Sequence, residues 1–414
     1  MLQSALFSKT SRTVSNDEVS VNARLLTQAG FIDKQMAGVY SYLPLGFRVV
    51  KKIEQIIHEE INAVGGQELV LTSLQPKELW EVTKRWETPE QIMYKLGDEA
   101  ESNLGLAWTH EEAITQIAKR FINSYRDLPV AVYQLQTKFR HEPRAKSGLI
   151  RMREFTMKDL YSFHRDEADL DKYYELVKQA YLKIFERCGL PALIVEASGG
   201  AFTKKFSHEF QVLTEAGEDY VLHCSACNYA QNREVAEVKA GENCPKCQQA
   251  KLTEGKSVEV GNIFKLGTKF SDDFKLMYTD EQGKQNPVVM ASYGIGPGRV
   301  MGTIVEVHND KAGMIWPASV APYLVHLVAL GSDAQVRERA QATYQDLTRR
   351  GLEVLYDDRE ESPGAKLKDA DLLGLPWRVV LSQKTGERFE LKARTATQAE
   401  LVSLQELPNK FSVR

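Results

Sequence analysis

Val130-Ala131-Val132-Tyr133-Gln134-Leu135-Gln136-Thr137-Lys138-Phe139-Arg140, then Glu142-Pro143-Arg144-Ala145-Lys146-Ser147-Gly148, then Arg151 to Phe163: this stretch decides how the chain reads. The first run is rich in β-branched and aromatic residues and reads as a strand, and the third reads as another extended segment. The polar run between them makes a hairpin with a long, basic tip. Near that tip stand Arg140, Glu142, Arg151, Arg153 and Glu154, with Phe155 beside them. Arginine recognises phosphate or carboxylate through a planar fork and keeps its charge, and an aromatic ring can stack on a base. Taken alone, the hairpin is equally well a solvated one laced with cross-strand ion pairs, which contribute little.

Working outward, Glu167 to Cys188 reads as a helix with Leu170, Tyr173, Tyr174, Val177, Tyr181 and Ile184 on its buried side. Gly189-Leu190-Pro191 stops it. Upstream, Val50, Ile53, Ile57, Ile61 and Val64 share one face of a helix from Phe47 to Val64, with Pro44 before it and Gly65-Gly66 after it. Glu68-Leu69-Val70-Leu71-Thr72 then predicts a strand, and Pro76 follows.

Downstream, composition changes at Ala216. The stretch to Gly255 is polar and holds Cys224-Ser225-Ala226-Cys227 and Cys244-Pro245-Lys246-Cys247, spaced C-x2-C-x16-C-x2-C. That spacing predicts a four-thiolate zinc site, the staple that a short segment without a core needs. Cys188, at a helix end, reads as a buried thiol. The apolar pattern resumes at Val258. Tyr293-Gly294-Ile295-Gly296-Pro297-Gly298-Arg299 leads into a helix predicted from Val300 to His308. A Gly-rich entry lets a ligand approach backbone, and a helix N-terminus with a cation favours anions. Its glycine spacing is not the dinucleotide fingerprint, and such a turn alone is more often only a turn. After Trp316-Pro317 and Ala321-Pro322 the order is strand (324–329), helix (334–350), strand (353–355), helix (365–373), strand (378–381), which predicts a separate small α/β domain.

The Arg-x-Glu hairpin and the Gly-x-Gly-x-Gly-Arg turn together resemble the signature pair of class II aminoacyl-tRNA synthetases, and the helix, strand and Pro76 resemble that family's first, dimer-forming motif. Ala37 to Gly46, Thr109-His110-Glu111-Glu112, Met157 to His164, Ser207-His208-Glu209-Phe210 and Gly261 to Lys269 resemble bacterial-type prolyl-tRNA synthetase from Leu6 to about Leu407. Asp357-Asp358-Arg359, Pro363-Gly364 and Lys366 to Asp371 are similar to its anticodon-binding domain.

The resemblance implies an α+β catalytic domain with a mostly antiparallel sheet (1–215 and 257–317), a zinc-knuckle insert (216–256) and a C-terminal α/β anticodon-binding domain (318–414). It implies that Thr109 and Glu111 hold the ammonium of proline, with Asp159 and His164 lining its pocket. Arg140 would lie by the carboxylate and the α-phosphate of ATP. Glu142 would read the adenine, Phe155 would stack on it, and Arg151 and Arg299 would hold the outer phosphates beside Gly294 and Gly296. Arg359, Lys366 and Lys368 would meet the anticodon. Activation is an in-line attack of carboxylate on the α-phosphate, so positioned cations stabilise the developing charge and no protein nucleophile is required. Mg2+ on the ATP phosphates and structural Zn2+ are the expected ions; proline, ATP, tRNA(Pro) and a second copy of the chain are the expected partners. Read without the resemblance, Thr109 caps a helix, and His164 is a satisfied structural histidine.

Departures matter too. The family's long editing insertion, between the segments matching Ala230 and Gly261, is replaced by the cysteine stretch, so hydrolysis of mischarged alanyl-tRNA by this chain is not expected. Ala107-Trp108 and Pro297-Gly298 stand where the family often has Gly-Pro and a branched residue with Ser. A non-catalytic tRNA-binding paralogue would be expected to lose Arg140, Glu142 or Arg299, and all three are present. A class II synthetase for another amino acid is disfavoured by Thr109, Glu111 and His164. The general composition agrees with an ordinary globular chain: 414 residues, 43% hydrophobic, 26% charged, net charge −3. No basic excess announces nucleic acid, no apolar run approaches the roughly 18 residues that span a bilayer, and Met1 to Phe7 shows no signal-peptide pattern. A cytoplasmic protein is the expectation.

Overall fold

The computed structural model describes residues 1–11, 13, 20–87, 92–97, 103–198 and 207–411. They form two compact units, one from Met1–Met36, Tyr40–Ile53 and Ile304–Arg414, the other from Ala37–Val39 and Glu54–Thr303.

The second unit is built on a nine-stranded mixed sheet. Its strands are β1 (Gln67–Glu68), β2 (Val130–Phe139), β3 (Glu154–His164), β4 (Leu193–Ala197), β5 (Ser207–Leu213), β6 (Asp219–Cys224), β7 (Ala230–Asn232), β8 (Leu252–Gly267) and β9 (Val289–Ile295), in the order β5-β4-β7-β6-β8-β9-β3-β2-β1. Among the described residues of this sheet, only β4–β7 and β1–β2 pair in parallel. The hairpin expected from the sequence is β2 and β3, paired from Val130↔Phe163 to Phe139↔Glu154. Helix α1 (Pro44–Ala63) buries Val50, Ile53, Ile57 and Ile61 of the predicted face, while Val64 lies just past its end and is half-buried. Beyond it the predicted strand 68–72 shortens to β1. Leu69 still donates to the Tyr133 carbonyl, but the Leu71 amide and carbonyl bond the side chains of Gln134 and Gln136 at 2.8 and 2.7 Å. Side-chain amides thus replace the ladder where the sequence pattern still reads strand.

Helix α2 (Glu111–Phe121) follows the Thr109 segment, and α3 (Glu167–Arg187) lays Tyr174, Tyr181 and Phe185 on the sheet, with Tyr181 5.0 Å from the Phe210 ring. Helix α4 (Pro297–Val307) begins at Pro297 and not at Val300. Proline suits a first helical position, because its missing N–H has no partner there anyway. The cysteine stretch belongs to the sheet: β8 runs unbroken from Leu252, opposite Cys224, to Gly267.

In the first unit, β10 (Val325–Ala329), β11 (Val354–Asp357) and β12 (Trp377–Leu381) are parallel, with α5 (Ala334–Arg349) and α6 (Pro363–Leu373) between them in the chain. These elements match the predicted ones to within two residues. Two further strands, Phe389–Ala393 and Glu400–Val402, extend the sheet antiparallel, beyond what the sequence pattern indicated.

Candidate active site

A cavity of about 280 Å³ opens over the middle of the nine-stranded sheet. Thr109, Glu111 and Asp159 line it, with Arg140, Glu142, Arg151 and Phe155 of the hairpin and Gly294, Gly296 and Arg299 of the strand-to-helix turn. These residues span 191 positions of sequence, and pairing of β9 with β3 brings the two motifs together: Gly294 is the register partner of Asp159.

The floor is polar and pre-arranged. Thr109 Oγ1 donates to Glu111 at 2.5 Å, and Ser292 Oγ donates to the other Glu111 oxygen at 3.1 Å. Thr109 therefore serves the carboxylate and is not the helix cap; the cap position is His110, with no side-chain cap bond. Asp159 accepts from Lys138 Nζ at 2.7 Å, Gln134 Nε2 at 2.8 Å and Tyr161 OH at 2.9 Å. Burial, helped by the neighbouring Lys138 cation, pulls His110 down to about 4, so it is neutral at pH 7, with Nε2 placed to donate to the Thr72 carbonyl at 3.1 Å. The floor thus presents fixed carboxylate oxygens, with Asp159 paired to the Lys138 ammonium and Glu111 3.6 Å from Arg85 Nη1, and such oxygens can accept from an ammonium group.

The upper wall is cationic. Arg140 lies 5.2 Å from the Phe155 ring centroid, and burial and the adjacent Arg299 lower its affinity for a proton without threatening its charge. Arg299 donates to the Ile150 and Glu259 carbonyls at 2.9 and 3.1 Å. Burial raises Glu142, but the Arg144 amide, Arg151 and Arg140 outweigh it and hold the carboxyl below its ordinary range. A Cβ on Gly294 or Gly296 would meet nothing nearer than 3.6 or 3.5 Å, so these glycines leave room in the cavity and relieve no clash.

A family model described as the tRNA synthetase class II core domain (G, H, P, S and T) matches residues 94–308, and one described as the anticodon binding domain matches residues 324–414. The proline–tRNA ligase 1 of Anaeromyxobacter dehalogenans is 35% identical over 557 aligned residues, covering 98% of this chain and 97% of that protein. The proline–tRNA ligase of Desulfitobacterium hafniense is 34% identical, covering 99% and 98%. The chain belongs to the proline–tRNA ligase family. It is an aminoacyl-tRNA ligase that activates proline with ATP and joins it to tRNA. The alignment of 557 positions against a chain of 414 means that these ligases carry well over a hundred residues absent here. In fold, the prolyl-tRNA synthetase of Giardia lamblia in complex with prolyl-adenylate superposes with TM-score 0.77 at 20% identity, covering 94% of this chain and 75% of that one. That of Cryptosporidium parvum complexed with halofuginone and AMPPNP gives 0.78 at 17%, with the same coverage.

Seen as a ligase site, the cavity excludes one expected residue. His164 is fully buried away from it, between Asp169 at 3.0 Å and Ser162 at 2.9 Å. Strand periodicity is the reason: Phe155, Met157, Asp159 and Tyr161 point to the cavity, and His164 falls on the opposite face. The same count would have found Met157 and Tyr161, and period two from Gly294 would have found Ser292. Glu259 and Asn262 also line the cavity. Asn262 belongs to the Gly261–Lys269 segment quoted above, whereas no local pattern marks Glu259.

The residues expected at the anticodon divide likewise. Arg359 and Lys366 border a second cavity of about 480 Å³ with Arg337, Gln341 and Tyr356. Their charges are already engaged. Arg359 is held by Asp357 at 2.7 Å and Asp369 at 2.9 Å, and Lys366, 3% exposed, donates to the Ala329 and Asp357 carbonyls. Lys368 is exposed and outside that cavity.

The four knuckle sulfurs lie within 4.8 Å of one another. Cys224–Cys247 and Cys227–Cys244 stand 3.6 and 3.7 Å apart, too far for disulfides. A tetrahedron with metal–sulfur bonds of about 2.3 Å has an edge of about 3.8 Å, so the donor set and spacing fit that metal geometry.

Proposed function

We propose that the cavity performs proline activation as follows. Glu111, with Thr109 and Ser292 fixing its oxygens, receives the ammonium of proline, and Met157 and Tyr161 flank the ring. Arg140 orients the proline carboxylate against the α-phosphorus of ATP. Glu142 and Phe155 take the adenine, and Arg151 and Arg299 take the outer phosphates. The carboxylate attacks in line and pyrophosphate leaves, so the protein's task is positioning and charge stabilisation. The observation that carries this reading is the arrangement of one cavity, with the fixed carboxylates of Glu111 and Asp159 at its floor and three arginines above.

Mg2+ would neutralise charge on the phosphates; the Glu259 carboxylate and the buried, unpartnered Asn262 Oδ1 are the oxygens suited to hold it. Zn2+ would be structural, held by Cys224, Cys227, Cys244 and Cys247. The functional division we adopt is 1–215 and 257–317 for activation, 216–256 for the zinc knuckle and 318–414 for the anticodon. The reading includes tRNA(Pro) as partner, the cytoplasm as compartment and a homodimer, for which the exposed Val70 and Phe121 offer apolar surface. No described helix is long and apolar enough to cross a membrane. Proline-dependent ATP–pyrophosphate exchange, run with each amino acid in turn, tests the assignment; exchange supported best by an amino acid other than proline would overturn it.

A further inference from the structure

Arg151 leaves the hairpin tip and is gripped from two sides. Glu142 Oε2 accepts from its Nε at 3.1 Å, and Glu218 pairs with its Nη1. Glu142 is a neighbour on the same hairpin, whereas Glu218 comes from 67 residues further along the chain and belongs to no motif named above. Two carboxylates on two nitrogens fix the plane of a guanidinium, and the third nitrogen, Nη2, then has a defined direction. On the reading proposed above, Glu142 must turn toward the adenine when ATP enters. Arg151 then keeps its orientation only if Glu218 holds it.

Glu218 is mounted for that purpose. The residue before it, Gly217, lies so close to β8 that a Cβ there would stand 2.2 Å from the Ser257 carbonyl oxygen. Only glycine permits that approach. The residue after it, Asp219, begins β6, pairs with Ser257 in register and accepts from Gln211 Nε2 at 3.1 Å. The carboxylate of Glu218 thus hangs between two anchored backbone positions, at the inner end of the strand whose outer end is Cys224. As a half-exposed surface ion pair it would add little to stability. As a fixed acceptor for an arginine at the hairpin tip it lowers the cost of ordering that arginine around a phosphate.

We infer that Glu218 is a positioning residue for ATP binding: it holds Arg151 in its phosphate-binding orientation. This inference rests on the proposed role of Arg151, and the test separates the two. In pyrophosphate exchange, Glu218→Gln should raise KM for ATP about tenfold, the effect of a middling coupling energy. The kcat at saturating ATP and the KM for proline should stay within about twofold. Glu218→Asp should recover part of the loss. Arg151→Ala should raise KM for ATP at least as much, and the double variant should be no worse than Arg151→Ala alone. If Arg151→Ala leaves KM for ATP unchanged, the role of Arg151 is wrong. If Arg151→Ala raises it but Glu218→Gln does not, or if the two effects multiply in the double variant, the role of Glu218 is wrong.

Discussion

Replacing Arg140 by alanine should abolish most proline activation while barely changing stability, and the structure supplies both halves of that expectation. Among the described residues the guanidinium makes one long hydrogen bond, from Nε to the Trp108 carbonyl at 3.3 Å, and it stands among the like charge of Arg299 and the carboxylates of Glu259, Glu111 and Glu142. Its loss removes one long hydrogen bond and the contact with Phe155, while the attraction of the carboxylates and the repulsion of Arg299 oppose each other, so the stability change should be small, about 1 kcal/mol or less. The cavity it faces is half-enclosed. A unit charge about 4 Å from a phosphate or carboxylate oxygen at an effective dielectric near 20 is worth about 4 kcal/mol. That corresponds to a loss of about 10²–10³ in rate, the range seen when one preorganised donor is removed. Arg140→Lys keeps the charge but loses the fork and the stacking on Phe155, and should fall between the two. The assay is proline-dependent ATP–pyrophosphate exchange, with circular dichroism melts of each variant. Exchange within tenfold of the parent in Arg140→Ala, or a collapse of the fold that accounts for the loss, would refute the reasoning.

Burial lowers His110, His208 and His326 to about 4 each, so these groups bind protons in the unfolded chain but not in the folded one between their folded value and the ordinary 6.5. The stability they carry is complete above pH 6.5 and is lost as pH falls toward 4, by on the order of 3 kcal/mol for each group fully protonated; a urea midpoint that stays flat from pH 6.5 to 4.5 would contradict this. Elemental analysis should find one zinc per chain, and Cys224→Ser should release it and speed amide exchange in β6 and the outer half of β8 before the rest of the sheet, because the knuckle cluster is built largely from the cysteines themselves; a metal-free protein with unchanged exchange would end the zinc reading. Each methylene that alanine lacks is worth only about 1–3 kcal/mol of discrimination, so alanine should be activated at a low rate. Release of labelled alanine from charged tRNA(Pro) should then be no faster with the protein than in buffer; rapid release would reveal an editing site.

Legibility in the sequence followed the range of the interaction. The β2–β3 hairpin, the α1 and α3 faces, the alternation of the C-terminal α/β elements and the knuckle spacing all depend on residues within a few turns or strand lengths of each other, and all could be read directly. So could the cationic character of the cavity wall, because arginine cannot lose its charge wherever the fold takes it. Orientation was harder. The resemblance points His164 to the pocket, whereas period two from Asp159 turns it away. The run 68–72 reads as a full strand because the glutamines that replace its ladder lie on another strand. That aspartates and carbonyls meet the charges of Arg359 and Lys366 is likewise visible only in the fold. Only tertiary structure decided these matters, along with the pairing of Ser292 with Glu111 across 181 residues and of Glu218 with Arg151 across 67. The reason is physical. Local pattern reports what a segment must bury, but a polar side chain's role depends on which partner satisfies it, and that partner is set by strand register and sheet order across the whole unit.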